Sequence, residues 1–121
     1  MANPNIIALS TVLGKTSLLA CTTAAQDVVA NAAASARLYQ VKSLYATSIT
    51  GTGTAAQVTV RLVRGGTTTV HLAKALDVPP GAPLVIISRD APINLLEDDK
   101  IVALADAASH IDITASYEDL A

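Results

Sequence analysis

Apolar and polar residues alternate most regularly near the end of the chain. The odd positions hold the apolar residues Ile111, Ile113, Ala115 and Tyr117. The even positions hold the polar residues Asp112, Thr114, Ser116 and Glu118. A period of two residues predicts a β-strand with one buried face and one hydrated face, because a helix would mix the two sets. Shorter apolar runs precede this strand within residues 83–120. The turn-forming stretches Asp90-Ala91-Pro92 and Glu97-Asp98-Asp99 separate the runs, so the region predicts an antiparallel meander whose apolar face the preceding chain covers.

The middle of the chain predicts a β-hairpin. Residues 57–64 alternate, with Val58, Val60 and Leu62 on one face, and residues 67–72 form the returning strand. Gly65-Gly66 lies between them, and glycine reaches the positive φ that two-residue hairpin turns need. The stiff connection Asp77-Val78-Pro79-Pro80-Gly81 then predicts a crossing from one sheet to another.

Earlier residues predict three more strands. Gly14 is expected to interrupt the chain, with a strand over residues 15–23 and a short one over 27–30. Residues 24–37 are rich in alanine, which favours a helix capped by Thr23, but the paired valines and Asn31 favour a strand followed by a loop. Residues 38–50 predict a long strand with a bulge near Ser43, and its buried parity is expected to carry Tyr39, Val41, Tyr45 and Ile49.

About eight short strands with frequent turns predict an all-β chain. The expected fold is an antiparallel β-sandwich, either jelly-roll or immunoglobulin-like, forming one domain over residues 1–121. Residues 1–14 are expected to be an extended N-terminal arm or a first strand. The arm either joins its own sheet or passes to a neighbouring subunit. In the second case, the residues contacting another subunit or a capsid are Asn3, Pro4, Asn5, Ile6, Ile7 and Leu9.

Composition points toward flat interfaces. Hydrophobic residues make up 51% of the 121 residues, yet the chain has no Trp, no Phe and three Tyr. Only 15% of residues are charged, below the roughly 25% typical of soluble domains, so part of the surface is expected to lie against other chains. A net charge of -2 without a basic cluster argues against nucleic acid. No apolar run approaches a membrane span and the N-terminus lacks a basic signal region, so we expect a mature protein with no membrane partner.

Chemistry-bearing residues do not combine into a reactive site. His71 and His110 lie in strand-like contexts without a nucleophile motif, and Cys21 is expected to be a small buried thiol. One cysteine and two separated histidines give no zinc spacing. Glu97-Asp98-Asp99 could bind calcium with Asp106 or Asp90, although a solvated turn is the expected structure. The sequence therefore predicts no enzyme, no cofactor, no metal and no small-molecule substrate.

Four stretches resemble small virion structural proteins of tailed bacteriophages, particularly those of cyanobacterial and marine phages. The stretches are MANPNI, VTVRLVRGGTT, LVIISRDAPINLLEDDKI and ITASYEDLA. The resemblance implies a capsid cement or decoration protein on the capsid exterior of a virion, assembled in the bacterial cytoplasm. It also implies a homotrimer seated on the major capsid protein where capsomers meet. Two alternatives stay open: a tail, neck or fibre-base protein of the same virion, and a carbohydrate-binding β-sandwich.

Overall fold

The computed structural model describes residues 12–49, 56–79, 81, 83–107 and 110–120. These residues form β-strands and no helix, so the described ranges contain no helix that could cross a membrane. All strand pairs are antiparallel. The strands are β1 (Val12–Ala20), β2 (Gln26–Ala30), β3 (Leu38–Ser48), β4 (Ala56–Arg64), β5 (Thr68–Val78), β6 (Pro83–Ile87), β7 (Ile93–Leu95), β8 (Lys100–Ala105) and β9 (Ile111–Leu120).

Two packed sheets contain these strands. Sheet A has the order β1-β9-β3-β6, with β7 also paired to β3, and sheet B has the order β2-β8-β4-β5. The pairs β1–β9, β2–β8, β3–β6 and β4–β5 are nested, as in one long antiparallel hairpin whose successive pairs fall alternately in the two sheets. That wrapping is a jelly roll. The predicted β-sandwich is confirmed, and of the two topologies left open the structure shows the jelly roll.

The meander predicted for residues 83–120 is wrong. Strands β6 and β7 both pair with β3, β8 lies in sheet B, and β9 returns to sheet A between β1 and β3. Alternation predicted the buried face of most of β9, but it carries no information on the partner strand. The acidic stretch and the connection after β8 each cross from one sheet to the other instead of closing a hairpin.

The predicted central hairpin is confirmed. Strands β4 and β5 pair along their length, with Arg64 opposite Thr68, so the turn has three residues and not two. Its residues Gly65 and Gly66 have φ values of 62° and 71°. Strand β5 continues to Val78, so Asp77 and Val78 belong to the strand and not to the connection. The connection does cross from sheet B to sheet A, as predicted, and Gly81 in it has a φ of 72°.

Gly14 does not interrupt the chain. Strand β1 runs through it in unbroken register with β9 and ends at Ala20, before Thr22 accepts a local hydrogen bond from the Ala24 amide. The predicted strand and loop at residues 24–37 are confirmed. Asn31 explains the loop, because its buried side chain donates to the carbonyls of Arg37 and Leu95 at 2.8 and 3.0 Å. A helix would leave that buried amide without these partners.

The predicted bulge in β3 is confirmed, and it overturns the predicted parity. The register with β9 shifts between Val41 and Ser43, so the buried positions change from odd to even numbers. Val41, Leu44 and Ala46 are buried. Tyr45 is therefore half-buried on the outer face and Ile49 is 48% exposed, contrary to expectation.

Small aliphatic side chains fill the space between the sheets. The largest fully buried ones are Leu44, Leu95, Ile101, Ile111 and Ile113. Cys21 is also buried, as predicted, at 1% exposure. The three tyrosines are only half-buried, which agrees with a thin core between closely spaced sheets and not with an aromatic-lined cavity.

Candidate assembly surface

The residues predicted to contact another subunit all precede the described part of the chain. Asn3, Pro4, Asn5, Ile6, Ile7 and Leu9 lie outside the described residues. Their contact role therefore stays a prediction. What the structure describes is the strand that follows them, β1, and the surface to which β1 belongs.

A buried carboxylate fixes β1 to the body of the sandwich. Asp119 on β9 is 1% exposed, and its two oxygens lie 2.9 Å from Lys15 Nζ and 2.9 Å from Arg37 Nη1. Lys15 belongs to β1 and Arg37 to the loop before β3, so one side chain joins three parts of the chain. Burial alone would raise the pKa of Asp119, but the hydrogen bonds and charges of Lys15 and Arg37 outweigh it and hold that pKa below its usual value.

Two tyrosines extend this cluster. The rings of Tyr39 and Tyr117 pack with centroids 5.2 Å apart at an angle of 40°, and Lys15 Nζ lies 6.0 Å from the Tyr39 ring centre. Such contacts stabilise aromatic pairs beyond simple area burial. Because each of these rings is covered by its neighbour, their packing is structural. On its inner side β1 also reaches sheet B, where Ser17 Oγ donates to the Val28 carbonyl.

The position of Asp119 in the alternating pattern of β9 is a sequence signal for this cluster. Asp119 has the same parity as Ile111, Ile113 and Ala115, so a carboxylate falls on the buried face of β9. A buried carboxylate needs a cation or several donors. That requirement points to a basic partner, although the position of Arg37 follows only from the fold.

The middle of the outer face of sheet A carries little charge, while Glu118 and Lys42 form an ion pair of 3.8 Å beside it. Strand register aligns Leu18, Thr114, Tyr45 and Val85 in one row across all four strands, which we call the outer row. Its ends are apolar and exposed, with Leu18 at 76% and Val85 at 60%. The rows on either side contain Thr16, Ser116 and Ser43, and Ala20, Asp112, Thr47 and Pro83. Asp112 is the only charged residue in these three rows.

The outer face of sheet B is different. Arg61 lies opposite His71 on one side and Val102 on the other, and Lys100 Nζ lies 3.5 Å from Asp27 Oδ1. Charged side chains on this face favour hydration. The central rows of the outer face of sheet A contain fewer charged side chains than this, and that face is the candidate contact surface.

The acidic stretch Glu97-Asp98-Asp99 is not the predicted solvated turn, because Asp99 is buried and hydrogen-bonded to other parts of the chain. Asp99 is 2% exposed and accepts hydrogen bonds from Arg64 Nε at 3.0 Å, the Gly65 amide at 3.2 Å and the Leu96 amide at 2.9 Å. Glu97 accepts from the Ala36 amide at 2.8 Å. These carboxylates point to different protein donors, and the described residues contain no group of three metal-ligating side chains.

The histidines are separated, one on each sheet's periphery. His71 is exposed on β5, and His110 Nδ1 lies 3.2 Å from Asp106 Oδ1 in the connection between β8 and β9. These two residues are four positions apart in the chain. Neither histidine belongs to the outer face of sheet A.

Comparisons with known proteins show similarity at the level of the fold. A protein described as a Bacillus endospore appendage, from a family of disulfide-linked pili, superposes with a TM-score of 0.52 at 20% identity, covering 98% of this chain and 97% of its own. Two structures of a pentameric capsid protein from metagenomic phage sequences give TM-scores of 0.46 and 0.44 at 14% identity. Both matches cover 84% of this chain, and they cover 59% and 60% of the two capsid protein chains.

No family model matches the chain. No curated protein matches it either. The sandwich fold is what the chain shares with the endospore appendage protein.

Proposed function

We propose that this chain is a non-enzymatic virion structural protein, and that it acts as a capsid cement or decoration protein. The observation that carries the proposal is the middle of the outer face of sheet A, where three rows of side chains spanning four strands contain one charged residue, Asp112. A face with so few charges loses little hydration when it is covered by another flat protein surface. The resemblance of the sequence to phage virion proteins supports the choice of a capsid as that partner.

Such a protein holds a shell together by repeated weak contacts. In the proposal, the outer face of sheet A lies on the major capsid protein at the junction of capsomers, with the protein present as a homotrimer. Three linked copies bind far more firmly than one, because the second and third contacts form at a high effective concentration. The predicted arm residues Asn3 to Leu9 would link the copies by strand exchange.

The test uses empty phage heads assembled without this protein. Added protein is expected to bind the heads and to raise their resistance to heat and to low salt. Val85→Asp, on the outer row, should weaken binding by at least about tenfold, since an unpaired carboxylate covered by protein costs more than about 1.4 kcal/mol. The matched control is Thr69→Asp, which adds the same charge at an exposed position of β5 in sheet B. Equal effects of the two changes, or no binding by the unmodified protein, would contradict the proposal.

The arm is tested separately by deleting residues 1–11. Loss of the homotrimer or of head binding is the expected result. An unchanged mass by light scattering, together with normal decoration of heads, would rule out arm exchange while leaving the docking face intact.

A second candidate is a subunit of an extracellular filament. The comparison that favours it is the endospore appendage protein, whose fold matches over 98% of this chain. That protein is described as disulfide-linked, whereas the single cysteine here, Cys21, is buried at 1% exposure and unsuited to linking folded subunits. Electron microscopy of the concentrated protein distinguishes the two, because a filament subunit forms fibres without any phage component.

A further inference from the structure

Strand β1 is an edge of sheet A with an unusually regular free side. It pairs with β9 over nine residues without a register shift, and no described strand pairs with its other side. The other edge strands are protected. Strands β2 and β6 have five residues each, β2 is bulged and β6 begins with a proline, while β5 carries two register shifts. Long, straight edges without proline are templates for pairing with another chain.

The backbone groups that face outward can be identified. The Cys21 amide donates to the Ile111 carbonyl at 2.9 Å, and the register places these two residues opposite each other. In an antiparallel ladder, hydrogen-bonded pairs alternate with non-bonded pairs. The odd residues of β1 therefore bond β9, and the even residues direct their N–H and C=O groups to the free side. These residues are Val12, Gly14, Thr16, Leu18 and Ala20.

We propose that the free side of β1 pairs antiparallel with β1 of a second copy of this chain, around a two-fold axis at Thr16. Thr16 then lies opposite Thr16, and Leu18 lies opposite Gly14 of the second copy. All nine residues find a partner in this register. The outward groups at even positions meet outward groups at even positions, as a hydrogen-bonded ladder requires.

The side chains of β1 suit this pairing with itself. Its only charged residue, Lys15, lies opposite Ser17 of the second copy, so like charges are not directly opposed, and Lys15 is already paired with Asp119. Leu18, which is 76% exposed, lies across from a glycine that leaves room for it. An isologous contact of this kind closes on itself and limits further growth from the same edge.

The inference deepens the proposed function and rests on it for its biological role. Pairing joins sheet A of one copy to sheet A of the second copy in one continuous sheet. The outer rows of the two copies then form one wider docking face. A two-fold contact links single subunits or larger rings equally well. The pairing itself is a property of the purified protein and is measured without any capsid.

The first experiment measures mass against concentration by sedimentation. Thr16→Lys places two like charges directly opposite each other, so association through β1 should weaken by up to about fivefold. The matched control Thr69→Lys adds the same charge at an exposed position of β5 in sheet B and should leave association unchanged. Circular dichroism checks that both variants keep the fold, which is expected because both positions are exposed.

The second experiment measures the register by disulfide trapping. In the proposed pairing, the two Thr16 Cα atoms are about 5.5 Å apart, within the roughly 4.4–6.8 Å that a disulfide spans. Thr16→Cys should therefore form a covalent dimer on mild oxidation. Leu18→Cys should not, because the two Leu18 positions are offset by four residues, or about 13 Å. The unmodified protein controls for the buried Cys21.

Three outcomes would overturn the inference. The first is association that Thr16→Lys and Thr69→Lys weaken equally. The second is an oligomer in which Thr16→Cys fails to form a disulfide. The third is an unmodified protein that stays monomeric and dimerises only after residues 1–11 are deleted, because its own N-terminal segment would then occupy the edge. Head binding by a chain that does not pair through β1 would preserve the proposed function, and pairing without head binding would preserve only the inference.

Discussion

Lys15 on β1 and Asp119 on β9 form an ion pair of 2.9 Å that lies diagonally across the first strand pair of sheet A. Arg37 holds the other oxygen of the same carboxylate. The strand that presents the free edge is thus attached to the sandwich by its ladder and by a buried charge cluster. Its position depends on Asp119 more than on any other single polar side chain of β9.

Replacing Asp119 should destabilise the fold. We expect Asp119→Asn to lower the free energy of unfolding by about 2 kcal/mol, because two charged donors lose their shared acceptor. The matched control is Glu118→Gln, which removes a neighbouring carboxylate whose ion pair with Lys42 is exposed and 3.8 Å long. That change should cost less than about 0.5 kcal/mol. Urea unfolding measures both, and equal costs would show that the cluster contributes nothing specific.

The same carboxylate predicts the direction of acid sensitivity. The pKa of Asp119 is lowered in the folded state, so the unfolded chain binds more protons as the pH falls and the stabilisation from Asp119 is lost. We expect stability to decline as the pH passes below the ordinary aspartate value of about 3.9. The free energy of unfolding of Asp119→Asn should fall less steeply than that of the unmodified protein as the pH drops below about 5. Parallel pH profiles for the two proteins would contradict the assignment.

Asp99 should contribute as much to stability as Asp119. It lies where the chain crosses from β7 in sheet A to β8 in sheet B. Asp99→Asn turns an amide donor toward Arg64 or the Gly65 and Leu96 amides, and we expect a loss of about 2 kcal/mol. Asp98→Asn is the matched control, because Asp98 is exposed and asparagine tolerates its φ of 67°. Thermal unfolding should separate the two variants by several degrees. An Asp99→Asn protein as stable as the unmodified one would show that the hydrogen bonds accepted by Asp99 do not stabilise this crossing.

Cys21 should be inert in the folded protein. Burial, with a smaller contribution from the Asp112 charge, raises the pKa of its thiol to about 11, and the residue is 1% exposed. A thiol reagent at pH 8 is expected to react slowly with the native protein and rapidly in denaturant. Complete labelling of the native protein at the denatured rate would contradict the burial and would reopen a disulfide-linked assembly.

Periodicity predicted the strands better than it predicted their partners. The alternation at residues 57–64 and 111–117 gave the buried faces of β4 and most of β9, because those faces follow from a period of two. It failed at β3 beyond Ser43, since a single bulge reverses the parity of Tyr45 and Ile49. It also failed for the order of β6 to β9, because pairing across two sheets depends on contacts distant in the chain. Of the candidate surface, the low charge was visible in the composition, but the outer row needed the strand order.

The most direct test of the central claim is electron cryomicroscopy of heads that lack this protein, imaged before and after it is added. The account predicts additional density at symmetry-related junctions between capsomers, with the outer face of sheet A toward the major capsid protein. Density confined to the neck or tail, or no density on the head at saturating protein, would contradict the assignment as a capsid cement protein.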